Sequence, residues 1–398
     1  MRSVSTVSYM CGALALAACS GSGAQGTHDQ VESVAQSFLD ERMTVFDRAD
    51  APGCTATLSR NGVTLASGAY GLANLDHDIP LSTDSVFRVA SVSKQFTAFA
   101  ILLLADDGAL DLEDDIREWL PELPDYGHVV NILHLLEHSS GLPYYGDIGF
   151  PYEDVPDYIR ASEGDDTSYG NPIFLSDSEF FERVLKVETL HYPPGEKSSY
   201  NNVGYYLLGK IVERASGQHL RDFAKERIFQ PLGMDDTFFN THTHVTVKRR
   251  ASPYFRLKDG RYIEWQTDLN WIGDGGLFTT VDDLAKWEAN FQDNQLGGGA
   301  DLIELMVRPN SNLEYDDDFD TDGGGGAAKG LFIVPTDFGL VAEHGGAWVG
   351  FRTHTERHLE SGYSIFMLCN TFEAAEMLPD LPRGILKAAI QSDLSQDE

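Results

Sequence analysis

Three short strings in this 398-residue chain carry residue types that can do chemistry together. The first is Ser91-Val92-Ser93-Lys94. A serine at the mouth of a helix, with a lysine three residues on, places a hydroxyl and an amine on one face a turn apart. Burial, and the positive end of the helix, both weaken the hold of such a lysine on its proton. A neutral amine can then take the serine proton and turn the oxygen into a nucleophile. Ser-x-x-Lys occurs once in the chain, and Ser93 to Ala105 behind it is apolar nearly all round, the pattern of a buried helix.

The second string is Tyr200-Asn201-Asn202, after Pro193-Pro194-Gly195 and before a helical pattern over Val203–Ala215. A tyrosine on such a connection can pass protons into a cleft, and Asn202 can hydrogen-bond a substrate amide. Tyr169-Gly170-Asn171 has the same spacing, but Pro172 follows it and no helical pattern does, so Tyr200 is preferred. The third string is His344-Gly345-Gly346, with Ala347 next. Strand residues without side chains let a substrate backbone lie close, and the histidine adds a donor or a partial positive charge. Lys258-Asp259-Gly260 reads instead as an Asp-Gly hairpin turn.

The elements that must hold these strings follow from periodicity. Asp29 to Phe46 reads as an amphipathic helix. Cys54–Arg60 and Val63–Tyr70 read as strands joined by an Asn61-Gly62 turn. Helices are expected at Val130–Glu137, Ser178–Val187, Val203–Ala215, Leu220–Ile228 and Val281–Gln292. Strands return at Gly330–Val334, Phe338–Glu343, Val349–Glu356 and Tyr363–Asn370, and a helix at Leu381–Gln391 closes the chain. Strands at both ends with helices between predict an α+β fold, with one antiparallel sheet assembled from both chain ends and an all-helical lobe beside it. Residues 29–90 and 250–398 would form the α/β lobe and 91–249 the helical one. Tyr144 to Ser176 is a long acidic, aromatic loop, either a wall of the site or a surface excursion.

With these residues in view, the sequence resembles the serine β-lactamase and penicillin-binding-protein superfamily. The likeness is to the branch related to class C β-lactamases, which includes D-aminopeptidases, D-alanyl-D-alanine carboxypeptidases and esterases. Further strings carry it: Leu135-Leu136-Glu137-His138-Ser139-Ser140-Gly141-Leu142, Pro194-Gly195-Glu196-Lys197-Ser198-Ser199, Pro231-Leu232-Gly233-Met234 and Gly273-Asp274-Gly275-Gly276-Leu277. The resemblance implies a β-lactamase/transpeptidase-like fold with the site between the lobes, and no cofactor or metal. It implies that Ser91 is acylated, that Lys94 and Tyr200 move protons, and that Asn202 orients the substrate. It also implies that His344, Gly345 and Gly346 line the site, and that the backbone N–H groups of Ser91 and Ala347 form the oxyanion hole. β-Lactamases of this branch resemble Lys-Thr-Gly at the third string, where a lysine holds the β-lactam carboxylate. His344 departs from that pattern, which speaks against efficient antibiotic breakdown. Arg352 is an alternative source of charge, or a solvated strand residue. The expected function is hydrolysis of an amide or ester of a small, peptide or peptidoglycan-derived substrate. A class C-like β-lactamase and a non-catalytic penicillin-binding sensor or scaffold are the alternatives.

The N-terminus reads as a processing signal. Residues 1–18 end in Leu16-Ala17-Ala18-Cys19, which resembles a bacterial lipobox with Cys19 lipidated, and 19–28 read as a tether. The expected location is the bacterial cell envelope, lipid-anchored at the outer membrane or periplasmic. No apolar run has the roughly 18–20 residues of a membrane-spanning helix. There are 62 acidic against 29 basic residues and a net charge of −33, which excludes nucleic acid and anionic headgroups as natural partners. Protein partners are not legible. Cys54 and Cys369 read as buried thiols in strands rather than as a bridge. Asp318–Gly323 begins like a calcium loop, but Lys329 stands where the closing acid belongs, so no metal is expected there.

Overall fold

The computed structural model describes residues 34–149, 174–266, 268–310, 313, 326–378 and 380–394. The expected signal peptide, Cys19, Tyr169 and Asp318–Gly323 lie outside the described residues, as does most of the Tyr144–Ser176 loop.

Seven strands form one antiparallel sheet: β1 (Cys54–Arg60), β2 (Val63–Tyr70), β3 (Gly326–Ala327), β4 (Phe332–Thr336), β5 (Gly339–Trp348), β6 (Phe351–His358) and β7 (Tyr363–Cys369). Their order is β3-β4-β5-β6-β7-β1-β2, so the N-terminal hairpin adds to the C-terminal meander across the β1–β7 pair. The hairpin turn is the expected one. Asn61 and Gly62 have φ of 50° and 75°, the left-handed pair that a two-residue turn between twisted strands requires. β1 and β7 are buried on both faces. Ile365, Met367 and Cys369 enter the core beneath the terminal helices, while Phe366 and Leu368 enter the main core, the period of two that a strand imposes.

The first face is covered by helix α1 (34–43), through Leu39 and Met43, and by the last helix, Asp380–Leu394, through Ile385, Leu386 and Ile390. The main core gathers α2 (Lys94–Asp106), α3 (Ile132–Leu136), α4 (Asp177–Val184), α5 (Asn202–Ser216), α6 (Leu220–Ala224), α7 (Val281–Gln292) and α8 (Gly299–Val307). As its composition predicts, α2 is buried along nearly its whole length. The bounds of the other helices agree with the sequence within a few residues. α8 was not foreseen. α6 runs into a π-helical turn, Lys225–Phe229, where one continuous helix was expected. Lys258-Asp259-Gly260 does turn a hairpin, between Tyr254–Arg256 and Tyr262–Glu264. Among the described residues no helix is long and apolar enough to cross a membrane.

The expectation of two free thiols is corrected. Cys54 and Cys369 are directly opposed in the β1–β7 register and form a disulfide, with Cα atoms 4.0 Å apart. Each read alone as a small buried apolar residue. Only the pairing of the two chain ends makes them neighbours.

Candidate active site

Ser91 sits on a tight 3₁₀ turn, Ala90–Ser93, that leads directly into α2 at Lys94. Ala90 takes a φ of 47°, a left-handed conformation that costs an L-residue about 1 kcal/mol. It reverses the chain sharply and lifts Ser91 out of the core. Ser91 is half-buried, whereas Lys94 is fully buried.

Lys94 Nζ lies 3.0 Å from Ser91 Oγ, 2.7 Å from Asn202 Oδ1 and 2.7 Å from the main-chain oxygen of Asp274. Asn202 Oδ1 and Asp274 O can only accept. They take two hydrogens of the amine, so the remaining direction on nitrogen faces Ser91. In a neutral amine that direction carries the lone pair. Burial lowers the Lys94 pKa to about 7, with the charge of Asp274 opposing the shift. Both geometry and charge state therefore suit a base that takes the proton of Ser91 near neutral pH.

Tyr200 is half-buried, and its ring lies under the amine, with Nζ 4.8 Å from the centroid. Tyr205 places a second ring 5.6 Å away. His138 packs against both at a tilt, its ring 4.7 Å from Tyr200 and 4.9 Å from Tyr205. Burial holds its pKa well below the usual value, so it is neutral, and its Nδ1 accepts the N–H of Asn201 at 3.0 Å. Asn201 caps α5 by accepting the Gly204 N–H, which makes Asn202 the first helical residue.

The strings that carried the resemblance act here as straps. Ser198 Oγ donates to Glu137 O at 2.8 Å, Ser199 N to His138 O at 2.8 Å, and Asn201 Nδ2 to Leu142 O at 2.8 Å. The segment Glu137–Leu142 thus cradles the Tyr200 turn. Gly273–Leu277 does the same for the Ser91 turn. Thr97 Oγ1 donates to Gly273 O at 2.7 Å, Leu277 N to Ser93 Oγ at 3.0 Å, and Val89 N to Leu277 O at 3.0 Å.

β5 runs past the Ser91 turn with its residues alternating. His344 and Gly346 are buried, Gly345 and Ala347 exposed. His344 donates from Nδ1 to Gly345 O at 2.6 Å, while its Nε2 is buried with no hydrogen-bond partner among the described residues. Its pKa is lowered to about 3 by burial, then by Lys94, so the ring is neutral. It packs 5.2 Å from Phe332 and 6.0 Å from Tyr200, ring to ring. Arg352 does not face the site as a free charge. Its guanidinium bonds Val349 O and Phe351 O and lies 4.0 Å above the Phe372 ring.

The structure thus brings Ser91, Lys94, Tyr200, Asn202 and His344 together. It gives Gly346 a different part from Gly345. A Cβ on Gly346 would stand 2.3 Å from Val89 O and 2.1 Å from Thr353 Oγ1, whereas one on Gly345 meets nothing closer than 3.5 Å. Gly346 lets β5 press against Val89, the residue that precedes the Ser91 turn. Gly346→Ala should lower Tm by about 5 °C, an overpacking cost of roughly 1–3 kcal/mol, and reduce kcat/KM with it. Gly345→Ala should melt close to the parent. Thermal scans of the two variants check the contrast.

Among the described residues, one group of side chains could converge on a metal: Glu343, His354 and Glu356. Arg383 fills the cation's place. Its Nε is 3.1 Å from both oxygens of Glu356, and it pairs with Glu343 through a second nitrogen.

Residues 35–390 match the β-lactamase family model, and the chain belongs to that family, whose members are serine hydrolases acting on amides and esters. Its relatives are enzymes. It is 29% identical over 353 residues to penicillin-binding protein 4* of Bacillus subtilis, covering 84% of this chain and 71% of that protein. It is 26% identical over 334 residues to a D-aminopeptidase of Gluconobacter oxydans (83% and 58%), and 34% identical over 234 residues to esterase EstB of Burkholderia gladioli (54% and 56%). It therefore spans little more than half of the latter two. The octameric penicillin-binding protein homologue from Pyrococcus abyssi superposes with a TM-score of 0.74 at 26% identity, over 91% of this chain and 77% of that one. A D-amino acid amidase from Ochrobactrum anthropi shares the fold, with a TM-score of 0.68 at 23% identity over 92% and 99% of the two chains. The α+β, β-lactamase/transpeptidase-like fold expected from the sequence is the one observed.

Proposed function

We propose that this chain hydrolyses an amide or ester through an acyl-enzyme on Ser91. The observation that carries the reading is the amine of Lys94, buried, with two acceptors fixing its hydrogens and its free direction on Ser91 Oγ. In this scheme the oxygen of Ser91 attacks the substrate carbonyl carbon as Lys94 takes the hydroxyl proton. The N–H groups of Ser91 and Ala347 hold the oxyanion. The tetrahedral intermediate collapses, the bond to the leaving amine or alcohol breaks, and that group receives the proton from Lys94 by way of the Tyr200 phenol. A water then gives its proton to the same pair, attacks the acyl ester, and frees the acid as Ser91 is reprotonated. Asn202 orients the substrate with its amide nitrogen, since its oxygen is engaged by Lys94.

A neutral His344 and an engaged Arg352 give a substrate carboxylate little to pair with. That favours D-amino-acid amides, peptides read from the amino end, peptidoglycan fragments lacking a free carboxylate at the cleaved end, and small esters. It disfavours β-lactams. The names of the D-aminopeptidase and esterase relatives agree with this range. Cys19, at the end of the lipobox-like string, is proposed as a lipid anchor to the bacterial envelope. The Cys54–Cys369 bridge suits that oxidising compartment.

A fluorophosphonate or fluorescent-penicillin probe should label the protein and fail on Ser91→Ala. With p-nitrophenyl esters, D-amino-acid anilides and nitrocefin assayed side by side, an ester or anilide should exceed nitrocefin in kcat/KM by about 100-fold, the worth of one lost charged contact. A preference for nitrocefin would select the β-lactamase alternative. No Ser91-dependent adduct together with no turnover would select the sensor or scaffold.

A further inference from the structure

Asp274 meets Lys94 twice, once through its main-chain oxygen and once through its charge. The oxygen accepts from Nζ at 2.7 Å, and the side chain is 5% exposed. One carboxylate oxygen accepts from the Tyr145 hydroxyl, and the Tyr145 oxygen in turn accepts from Trp271 Nε1 at 3.0 Å. The other, Oδ1, is buried and has no hydrogen-bond partner among the described residues. A buried carboxylate left half-satisfied is costly to a fold. No strap described above needs its charge, since Gly273–Leu277 is stitched through its main chain and neighbouring hydroxyls. The unmet charge therefore asks for an electrostatic partner, and among the described residues the cations within reach are Lys94 and Arg88. Arg88 is buried too, its Nε given to Gly275 O at 2.9 Å.

We propose that Asp274 is a positioning residue for the reaction: its carboxylate, shared with the Tyr145 hydroxyl, sets how firmly Lys94 holds the proton it takes from Ser91. This rests on the reading of Lys94 as the base. A fully buried amine with no counter-charge loses its proton too readily to serve as the acid that the leaving group needs later in the cycle. Asp274 restores part of that affinity, and among the described residues it is the one charged side chain acting on Lys94 that opposes burial. The other titratable groups around the amine, Tyr200, Tyr205, His138 and His344, come from α3's end, α5's mouth and β5. Both histidines are neutral. Around Asp274 itself stand Lys94, Arg88, Tyr145 and Tyr206. Tyr145 adds an adjustable element: its hydroxyl shares the charge of Asp274 and so weakens the pull of that charge on Lys94.

The test is the acid limb of kcat/KM against pH on the best substrate, with the pH dependence of Ser91 labelling by a fluorophosphonate as a second readout. Asp274→Asn keeps the shape and the main-chain oxygen but removes the charge. Its acid limb should move down by about one pH unit, the scale of one charge a few ångströms away in a partly polar interior. Tyr145→Phe leaves the charge unshared, and its limb should move up. An Asp274→Asn limb within about 0.2 units of the parent in both readouts overturns the proposal, even if the rate or Tm has changed, because a purely structural part would alter those alone. Should Asp274→Asn not fold, Tyr145→Phe decides: an upward shift supports the proposal, and an unmoved or downward limb overturns it. Failure of the base reading looks different, since Lys94→Met would then keep its turnover.

Discussion

Lys94→Met is expected to lower kcat/KM by about ten-thousand-fold, the loss typical of removing a group that acts as a unit with its nucleophile. Among the described residues Lys94 is the one amine against Ser91 Oγ, and the neighbouring rings of His138 and His344 do not replace it. His138 spends Nδ1 on the Asn201 N–H, and His344 spends Nδ1 on Gly345 O. Lys94→Arg should be equally inactive, because a guanidinium keeps its proton and offers no lone pair. A variant retaining more than about one per cent of the parent rate would remove Lys94 from the role of base. In the parent, kcat/KM should rise as pH rises through about 7, as Lys94 becomes neutral.

The same substitution has a signature in stability. The Lys94 pKa is about 7 in the folded chain against 10.5 for a free lysine. Between those values the unfolded chain binds a proton that the folded chain does not, so this group makes stability rise with pH across the window. The parent should therefore gain stability over Lys94→Met between pH 7 and 10, measured as urea midpoints. At pH 7 the variant also leaves Asn202 Oδ1 and Asp274 O without their donor, at about 1–3 kcal/mol each. Midpoints that run parallel across that pH range would mean that Lys94 titrates normally.

The second large effect concerns the bridge. Cys54→Ala with Cys369→Ala, or reduction of the parent, should cost about 5 kcal/mol and about 10 °C in Tm. The bond closes a loop with a sequence separation of 315 residues, and long loops lose the most freedom in the unfolded chain. It also locks the β1–β7 pair, the seam at which the two ends of the chain become one sheet. A Tm unchanged by reductant, with thiol titration showing both cysteines free, would refute that part. Activity measured well below Tm should be unaffected, because Cys54 and Cys369 face the terminal helices and not the site.

The chemistry was legible early because it is local. Ser91 and Lys94 are three residues apart, and helical geometry alone sets them on one face. The apolar run behind them predicted burial, and burial is the main cause of the lowered lysine pKa. Asn61-Gly62 is local in the same way. His138 was different. It could be quoted only as part of a string, although its φ of 56° and its ring contact with Tyr200 make it a support of the site. A lone histidine in a polar string gives no hint of either.

What the amino-acid order determined by itself was the juxtaposition of Ser91 and Lys94, the Asn61-Gly62 turn, and the strand periodicity at both ends. These depend on neighbours within a turn or a pleat. Only the tertiary structure decided that Cys54 meets Cys369, that Asp274 reaches Lys94 from 180 residues away, and that Gly346 yields its space to Val89. Each is a contact between segments whose proximity follows from how sheet and helices pack. A buried charge or a missing side chain looks the same in sequence whatever it comes to face.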